Sequence, residues 1–346
     1  VAAGNVVIAK PSHKTPRVAA LLETLIADAF PQDEVAVVQG AGAEIGDRLL
    51  ALPFDHIFFT GSPKVGAHVA ERAARIHAGV TLELGGKSPT IVLNDVNVKD
   101  AAPKIAWGKT LNAGQTCIAP DYILCPQDLV QPLAHAIAKS IKKMYGDTEE
   151  ARKSNPDFVH IIEGRAVERL KEATEDAIAK GATAVIGAPG YFDTVERYAP
   201  ATILTHVTPD MHVMDSEIFG PVLPIVAYKN LDEAIQFVQN RPKPLALYIF
   251  GKSPSKINRV VASTTSGSTC INHCILQIEN LSVPFGGVGM SGTGSYHGIY
   301  GFKTFSHERN IMEQGAFDAM KYLYPPYRKQ KGLRSRIQHF LKALIG

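Results

Sequence analysis

Short apolar runs alternate with helix-period stretches along nearly the whole chain, and that alternation leaves few folds open. Residues 6–9, 35–38, 57–59 and 80–84 read as strands. Between them 15–30, 43–52 and 64–76 carry helical spacing, and the first of these puts Val18, Leu21, Leu22, Leu25 and Ile26 on one face. The pattern resumes after Gly85-Gly86. Strands are predicted at 90–93, 122–125, 184–186, around Ile203, and at 222–226, 246–250 and 268–271. Helices are predicted at 98–111, 129–145, 165–180, 232–239 and 257–264, while 149–156 is polar and reads as loop. Strand–helix–strand units with short links build a parallel sheet covered by helices on both faces. The expectation is an α/β chain in successive parts: 1–84, 85–297, and a C-terminal 298–346 that adds a strand and a basic tail.

Bulk properties narrow the function. The 346 residues give room for about two domains, at roughly 150 residues each. Net charge is +3, yet the segment from Arg328 onward holds six cations and no acid, which leaves the body at −3. A mildly acidic body argues against a nucleic-acid-binding surface. The four cysteines, Cys117, Cys125, Cys270 and Cys274, form no CxxC pair, so a reducing, intracellular compartment fits better than a disulfide scaffold. The run from Cys270 through His273 to Cys274 offers only three close ligands and does not make a zinc site. No apolar run reaches bilayer length. The chain starts at Val1 and enters its first strand almost at once, which reads as a start inside a domain.

Against this frame several residues stand out. Cys117 ends the small, polar run Asn112-Ala113-Gly114-Gln115-Thr116, just past a helix, where a side chain can face a cleft. As a nucleophile it needs a local positive field to lower its pKa. Cys125, inside a strand, reads as an inert small hydrophobe. Glu83 interrupts the apolar strand of Val80, Leu82 and Leu84: either an outward residue on an edge strand, or a general base raised towards neutral pH by burial. Gly61-Ser62-Pro63-Lys64-Val65-Gly66 follows a strand and opens a helix, which suits a diphosphate but equally a plain turn, and it is not GxGxxG. Lys10 closes the first strand, as a solvated end or a ribose contact. Glu217 and Phe219, before the Gly220-Pro221 turn, could take a ribose diol and stack on a nicotinamide, or simply staple a loop. Glycine density over 282–301 implies positive φ or close backbone approach.

Taken together, these motifs resemble the aldehyde dehydrogenase superfamily. Glu-Leu-Gly-Gly-Lys at 83–87, Gly-Gln-Thr-Cys at 114–117, Glu-Ile-Phe-Gly-Pro-Val at 217–222 and Pro-Phe-Gly-Gly-Val-Gly-x-Ser-Gly at 284–292 occur together and in order. Glu83 and Cys117 stand 34 positions apart, the family's usual spacing. Ala119 to Leu124, Lys243 to Tyr248, Gly294 to Gly298 and Phe302 to His307 look like class 3 members, the class that includes the fatty aldehyde dehydrogenases.

The resemblance implies a partial Rossmann-type cofactor domain followed by a second α/β catalytic domain. It implies oxidation of medium- to long-chain or aromatic aldehydes with NAD, and with NADP tolerated. Cys117 would form the thiohemiacetal and thioester, and Glu83 would activate the water that releases the acid. It also implies that Lys10 meets the adenosine ribose, that Gly61, Ser62 and Gly66 form the diphosphate turn, and that Thr60 and the Leu84 backbone lie near the nicotinamide. Glu217 would hold the nicotinamide ribose, Phe219 would pack beside the ring, and Phe285 would wall the substrate tunnel. No metal is implied, and a homodimer is implied for a full-length protein.

Two departures matter. The family's Trp-Asn motif, whose asparagine helps bind the oxyanion, has no counterpart in this sequence, and loss of one such donor typically costs about 10²–10³ in rate. Should these residues be the whole polypeptide, a weak enzyme is expected, or a silent homologue acting by binding. His13 follows Lys10-Pro11-Ser12 where the family often has glutamate, which removes repulsion of a 2′-phosphate. In the tail, Leu333, Ile337, Phe340, Leu341, Leu344 and Ile345 form an apolar stripe flanked by Arg334, Arg336 and Lys342. It suits an interfacial helix over 332–346 on the cytoplasmic side of a membrane, or a helix packed on the body or a partner.

Overall fold

The computed structural model describes residues 1–316, with 318, 320, 321, 324–326, 332, 335, 339, 342 and 343 beyond them. The chain divides into two compact units, Val1–Ser306 and His307–Gly346. The apolar residues of the predicted tail helix, with Arg334 and Arg336, lie outside the described residues.

In the first unit β1 (Val7–Ala9) and β2 (Val35–Val37) pair in parallel, with α1 (Pro16–Ala29) between them in sequence. Among the described residues nothing covers the apolar face of α1: of its residues Ala19 alone is buried, while Val18 is 63% and Leu21 59% exposed. Then come α2 (Gly42–Leu49), β3 (His56–Gly61), α3 (Pro63–Arg75) and β4 (Gly79–Leu84). Strands β3 and β4 are parallel, with Phe58 opposite Thr81 and Thr60 opposite Glu83. One face of this pair, with Ile57, Phe59, Leu82 and Leu84, packs with Val69 of α3. Because side chains alternate along a strand, Phe58, Thr60, Thr81 and Glu83 share the other face.

The next elements are β5 (Pro89–Val92), α4 (Val98–Thr110), β6 (Tyr122–Pro126), α5 (Val130–Tyr145), α6 (Glu149–Ser154) and α7 (Gly164–Ala179). They continue through β7 (Thr183–Ile186), β8 (Thr202–Thr205), β9 (Val222–Tyr228), α8 (Leu231–Gln239), β10 (Ala246–Phe250), α9 (Pro254–Ser263) and β11 (Ser268–Ile271). These strands make one seven-stranded sheet, ordered β11-β10-β5-β6-β9-β8-β7. All its pairs are parallel except β7 with β8. Strands β5, β6, β8 and β10 are buried along their whole length, as a sheet covered on both faces requires. One core gathers Ile105 of α4 with Leu133 and Ile137 of α5; the other gathers Leu170 of α7, Ala234 of α8 and Val260 of α9.

Segment 149–156 is not the loop its polarity suggested. Thr148 caps α6 by accepting from the Ala151 N–H at 3.2 Å, and two acids occupy the first turn. Its polar residues are paired inside: Arg152 bonds Glu149 at 2.6 Å, both buried, and the Tyr198 hydroxyl donates to Glu149 at 2.6 Å. Downstream, β12 (Gly292–Thr293) runs antiparallel to β4, with Gly292 opposite Glu83, and α10 (Gly298–Thr304) follows. The glycine-rich stretch does adopt positive φ, at Gly289, Gly292 and Gly294.

Candidate active site

Cys117 is aimed by a loop that few sequences could form. After α4 a single tight turn holds Asn112, Ala113 and Gly114 at φ of 51°, 51° and 72°, all left-handed. At Gly114 a Cβ would stand 2.3 Å from the Gly220 carbonyl oxygen, so no other residue fits. Gln115 fastens the turn: its Oε1 accepts from the Ile162 N–H at 2.8 Å, and its Nε2 donates to the carbonyls of Asn112 at 3.1 Å and His160 at 3.3 Å. Just beyond the cysteine, the Tyr248 hydroxyl of β10 donates to the Ile118 carbonyl.

The expected positive field at Cys117 is absent from the described residues. Burial pushes the thiol up to about 11, and the charges of Glu83 and Glu217 push the same way. Only the backbone N–H groups of Cys117 and Ile118 favour the thiolate. The resting nucleophile at neutral pH is therefore a protonated thiol. The cations near the site face the carboxylates instead.

Glu83 is buried on β4, and burial raises its pKa to about 7. Its Oε1 has no hydrogen-bond partner among the described residues. A buried acceptor left open costs free energy, which a water or ligand arriving there would recover. Glu217 stands on the loop before β9, where burial first and Asp121 second raise its pKa to about 8. Gly85 is shaped around it, since a Cβ there would lie 1.8 Å from the Glu217 carboxylate, and the Gly86 N–H donates to that carboxylate.

Two residues that sequence reasoning missed hold this loop, and the charge of a third acts on it. Lys87 pairs with Asp121 and donates to the carbonyls of Val213 and Ser216, each at 2.9 Å. Asp121 also accepts from the Ile218 N–H at 2.8 Å. Lys109 of α4 is fully buried with no hydrogen-bond partner for its ammonium among the described residues; burial lowers its pKa to about 8, opposed by Asp121 and Glu217. The available signal was a lysine directly after the uncharged, largely apolar run Ile105 to Gly108, where a solvated cation has little place.

The other expected residues lie on several elements. Thr60 and Gly61 end β3, opposite Glu83 and Leu84. Ser62 caps α3 by accepting from the Val65 N–H at 3.4 Å, and Gly66 is buried in the first turns of α3 against Leu84. Phe219, at φ 45°, is 40% exposed, so its ring is free to meet a ligand. Phe285 is buried against Tyr296 and His297. Lys10 lies at the end of β1, in the separate two-stranded sheet, and donates to the Pro11 carbonyl at 3.4 Å. A helix start with exposed first-turn residues, an orphaned carboxylate oxygen and a cradled second carboxylate fit a dinucleotide. Among the described residues no group of three or more His, Cys, Asp or Glu is placed to hold a metal ion.

Fold and site together fit an α/β enzyme with a cysteine and a buried carboxylate close to a helix start. The model of the aldehyde dehydrogenase family matches residues 1–311, and the chain belongs to that family. It is 45% identical over 329 residues to a probable coniferyl aldehyde dehydrogenase of Pseudomonas aeruginosa, covering 95% of this chain and 67% of that protein. It is 44% identical to aldehyde dehydrogenase family 3 member A2 of Mus musculus, covering 96% and 66%, which places it with the class 3-like members. A substrate-bound Staphylococcus aureus AldH superposes with a TM-score of 0.89 at 40% identity, covering 99% and 71%. The chain thus spans about two thirds of the length of these relatives. The family's enzymes are NAD(P)-dependent aldehyde dehydrogenases.

Proposed function

We propose that this chain oxidises medium- to long-chain or aromatic aldehydes to carboxylic acids. Cys117 adds to the aldehyde carbonyl and gives a thiohemiacetal; loss of hydride leaves a thioester; water activated by Glu83 releases the acid. NAD(P) supplies the hydride acceptor and, oxidised, a positive ring charge. The observation that carries the reading is the pairing of a thiol and a carboxylate in one buried field, the carboxylate tuned to about 7 and open on one oxygen. A base with a pKa near the working pH is ionised and still able to take a proton.

The same proposal assigns the cofactor contacts. Gly61, Ser62 and Gly66 would hold the diphosphate at the start of α3, Thr60 and the Leu84 backbone would border the nicotinamide, Glu217 would take its ribose and Phe219 would flank the ring. Lys10 reaches the adenosine ribose, and Phe285 lies behind the substrate channel. Sheet membership supports a cofactor part over 1–84 and a catalytic part over 85–297, with β12 returning to β4. The aromatic substrates are supported by the coniferyl aldehyde relative, the aliphatic ones by the class 3 resemblance. A homodimer and a membrane contact through 332–346 complete the proposal.

The test is NAD(P)H formation with decanal and with benzaldehyde, combined with intact-mass detection of the acyl-enzyme. Both aldehydes should give product, and Cys117→Ala should abolish it. No product from the native chain, with NAD(P) binding retained, would favour the alternative of a silent binding homologue.

A further inference from the structure

Tyr296 has no part in the proposed reaction, yet the charges of Glu83 and Cys117 both act on its hydroxyl. It follows β12, the strand that sets Gly292 opposite Glu83. Its backbone exchanges two hydrogen bonds with Phe285, at 2.9 and 2.8 Å. Its ring meets Phe58 edge-on at 5.1 Å, Phe285 at 5.7 Å and His297 at 5.0 Å. Phe58 is on the same face of β3 and β4 as Glu83. Tyr296 and Cys117 both pack against the core that contains Phe285. The ring therefore bridges the sheet face of the base and the core behind the nucleophile, held by three aromatic contacts. Its hydroxyl has no hydrogen-bond partner among the described residues, and the charges of Glu83 and Cys117 both act on it. The phenol is half-buried, the charge of Glu83 reaches it, and the Glu83 Oε1 has no hydrogen-bond partner among the described residues.

We propose that Tyr296 is a further catalytic residue, whose hydroxyl holds the water that Glu83 activates against the Cys117 thioester. The inference rests on the reading of Glu83 as hydrolytic base. The water donates one hydrogen to the Glu83 carboxylate and the other to the Tyr296 hydroxyl oxygen, which leaves a lone pair directed at the thioester carbon. As the new C–O bond forms, Glu83 takes the first proton. The C–S bond then breaks, and the departing sulfur recovers a proton as the acid leaves. A single hydrogen bond to Glu83 would let the water rotate, whereas two fix its attack direction. Orientation of this kind is worth about tenfold to a hundredfold in rate.

Tyr296→Phe removes the hydroxyl and keeps the ring with its three contacts. The chain is acylated with 4-nitrophenyl acetate, which loads Cys117 without cofactor, and the acyl-enzyme is followed by intact mass while nitrophenol release is timed. Tyr296→Phe should acylate at the native rate and lose the acyl group about tenfold to a hundredfold more slowly, so that acyl-enzyme accumulates. Native deacylation in Tyr296→Phe overturns the assignment, and so does an equal slowing of both steps, which would mean that the phenol supports the thiol rather than the water. Glu83→Gln separates the two readings. If it slows deacylation while Tyr296→Phe does not, the base stands and the tyrosine falls. If Glu83→Gln deacylates normally, or the native chain is not acylated at Cys117, the underlying reading falls and takes this one with it.

Discussion

Glu83 and Glu217 are both carboxylates lifted by burial from the ordinary 4.5, to about 7 and about 8. Between the ordinary and raised values the folded chain keeps a proton that the unfolded chain has released. Stability therefore falls as pH rises from about 4.5 through 8. Glu83→Gln removes one of the two groups and should flatten that fall below about pH 7, which thermal melts at pH 5 and pH 7 compare directly. Equal slopes in the two proteins would reject burial of Glu83 as a cause. In the proposed reaction the same residue acts with the opposite sense. As a base it must be ionised, so deacylation should climb through about pH 7, and Glu83→Gln should lose about 10²–10⁴ of it. His13 offers a separate test at this scale: it is exposed and follows Lys10-Pro11-Ser12, where the family resemblance leads to an expected glutamate. His13→Glu should raise the Michaelis constant for NADP more than that for NAD, and indistinguishable constants for NADP would refute the charge argument.

At the scale of elements, the turn between α4 and β6 is what converts a helix end into an active-site loop. Gly114→Ala puts a methyl group against the Gly220 carbonyl at φ 72° and should cost at least about 1–2 kcal/mol. A lower melting temperature should come with slower alkylation of Cys117 by iodoacetamide. A lower melting temperature with unchanged alkylation would mean that the loop's shape does not set the thiol's reactivity. Why this turn was legible in sequence, and α6 was not, has a physical reason. Glycine before a cysteine in a polar run announces an unusual backbone, and strands such as β5 and β10 announce themselves as unbroken apolar runs. In α6 the helix is written in charges, and only the partners of Glu149 and Arg152 reveal that those charges are buried. Lys109, Asp121 and Tyr296 escaped for the same cause. Each matters through a contact across strands or helices far apart in sequence, which no local spacing encodes. The pKa of Cys117 was misjudged likewise, because the cations nearby are turned towards Asp121 and Glu217.

Over the whole molecule the charge is unevenly divided, and this divides the tasks as well. The body before Arg328 is net −3 and holds both the base and the nucleophile, while the six cations after it carry no acid among them. Among the described residues no helix is long and apolar enough to cross a membrane. A lipid contact through the basic tail would be peripheral and largely electrostatic. Each lysine or arginine near an anionic surface contributes about 1 kcal/mol, and apolar side chains that enter the interface add to it. Deleting 332–346 removes Arg334, Arg336 and Lys342, half of the basic cluster, together with the six apolar residues between and beyond them. The prediction is tested by flotation with phosphatidylserine-containing and with neutral vesicles at physiological salt. The native chain should float with the anionic vesicles and stay behind with the neutral ones, and the deleted chain should stay behind with both. Its body should melt at the native temperature, since the deletion lies outside the Val1–Ser306 unit that holds the site. Flotation unchanged by the deletion would move the contact to the body, where the exposed Val18, Leu21 and Leu25 of α1 offer the next apolar face to test.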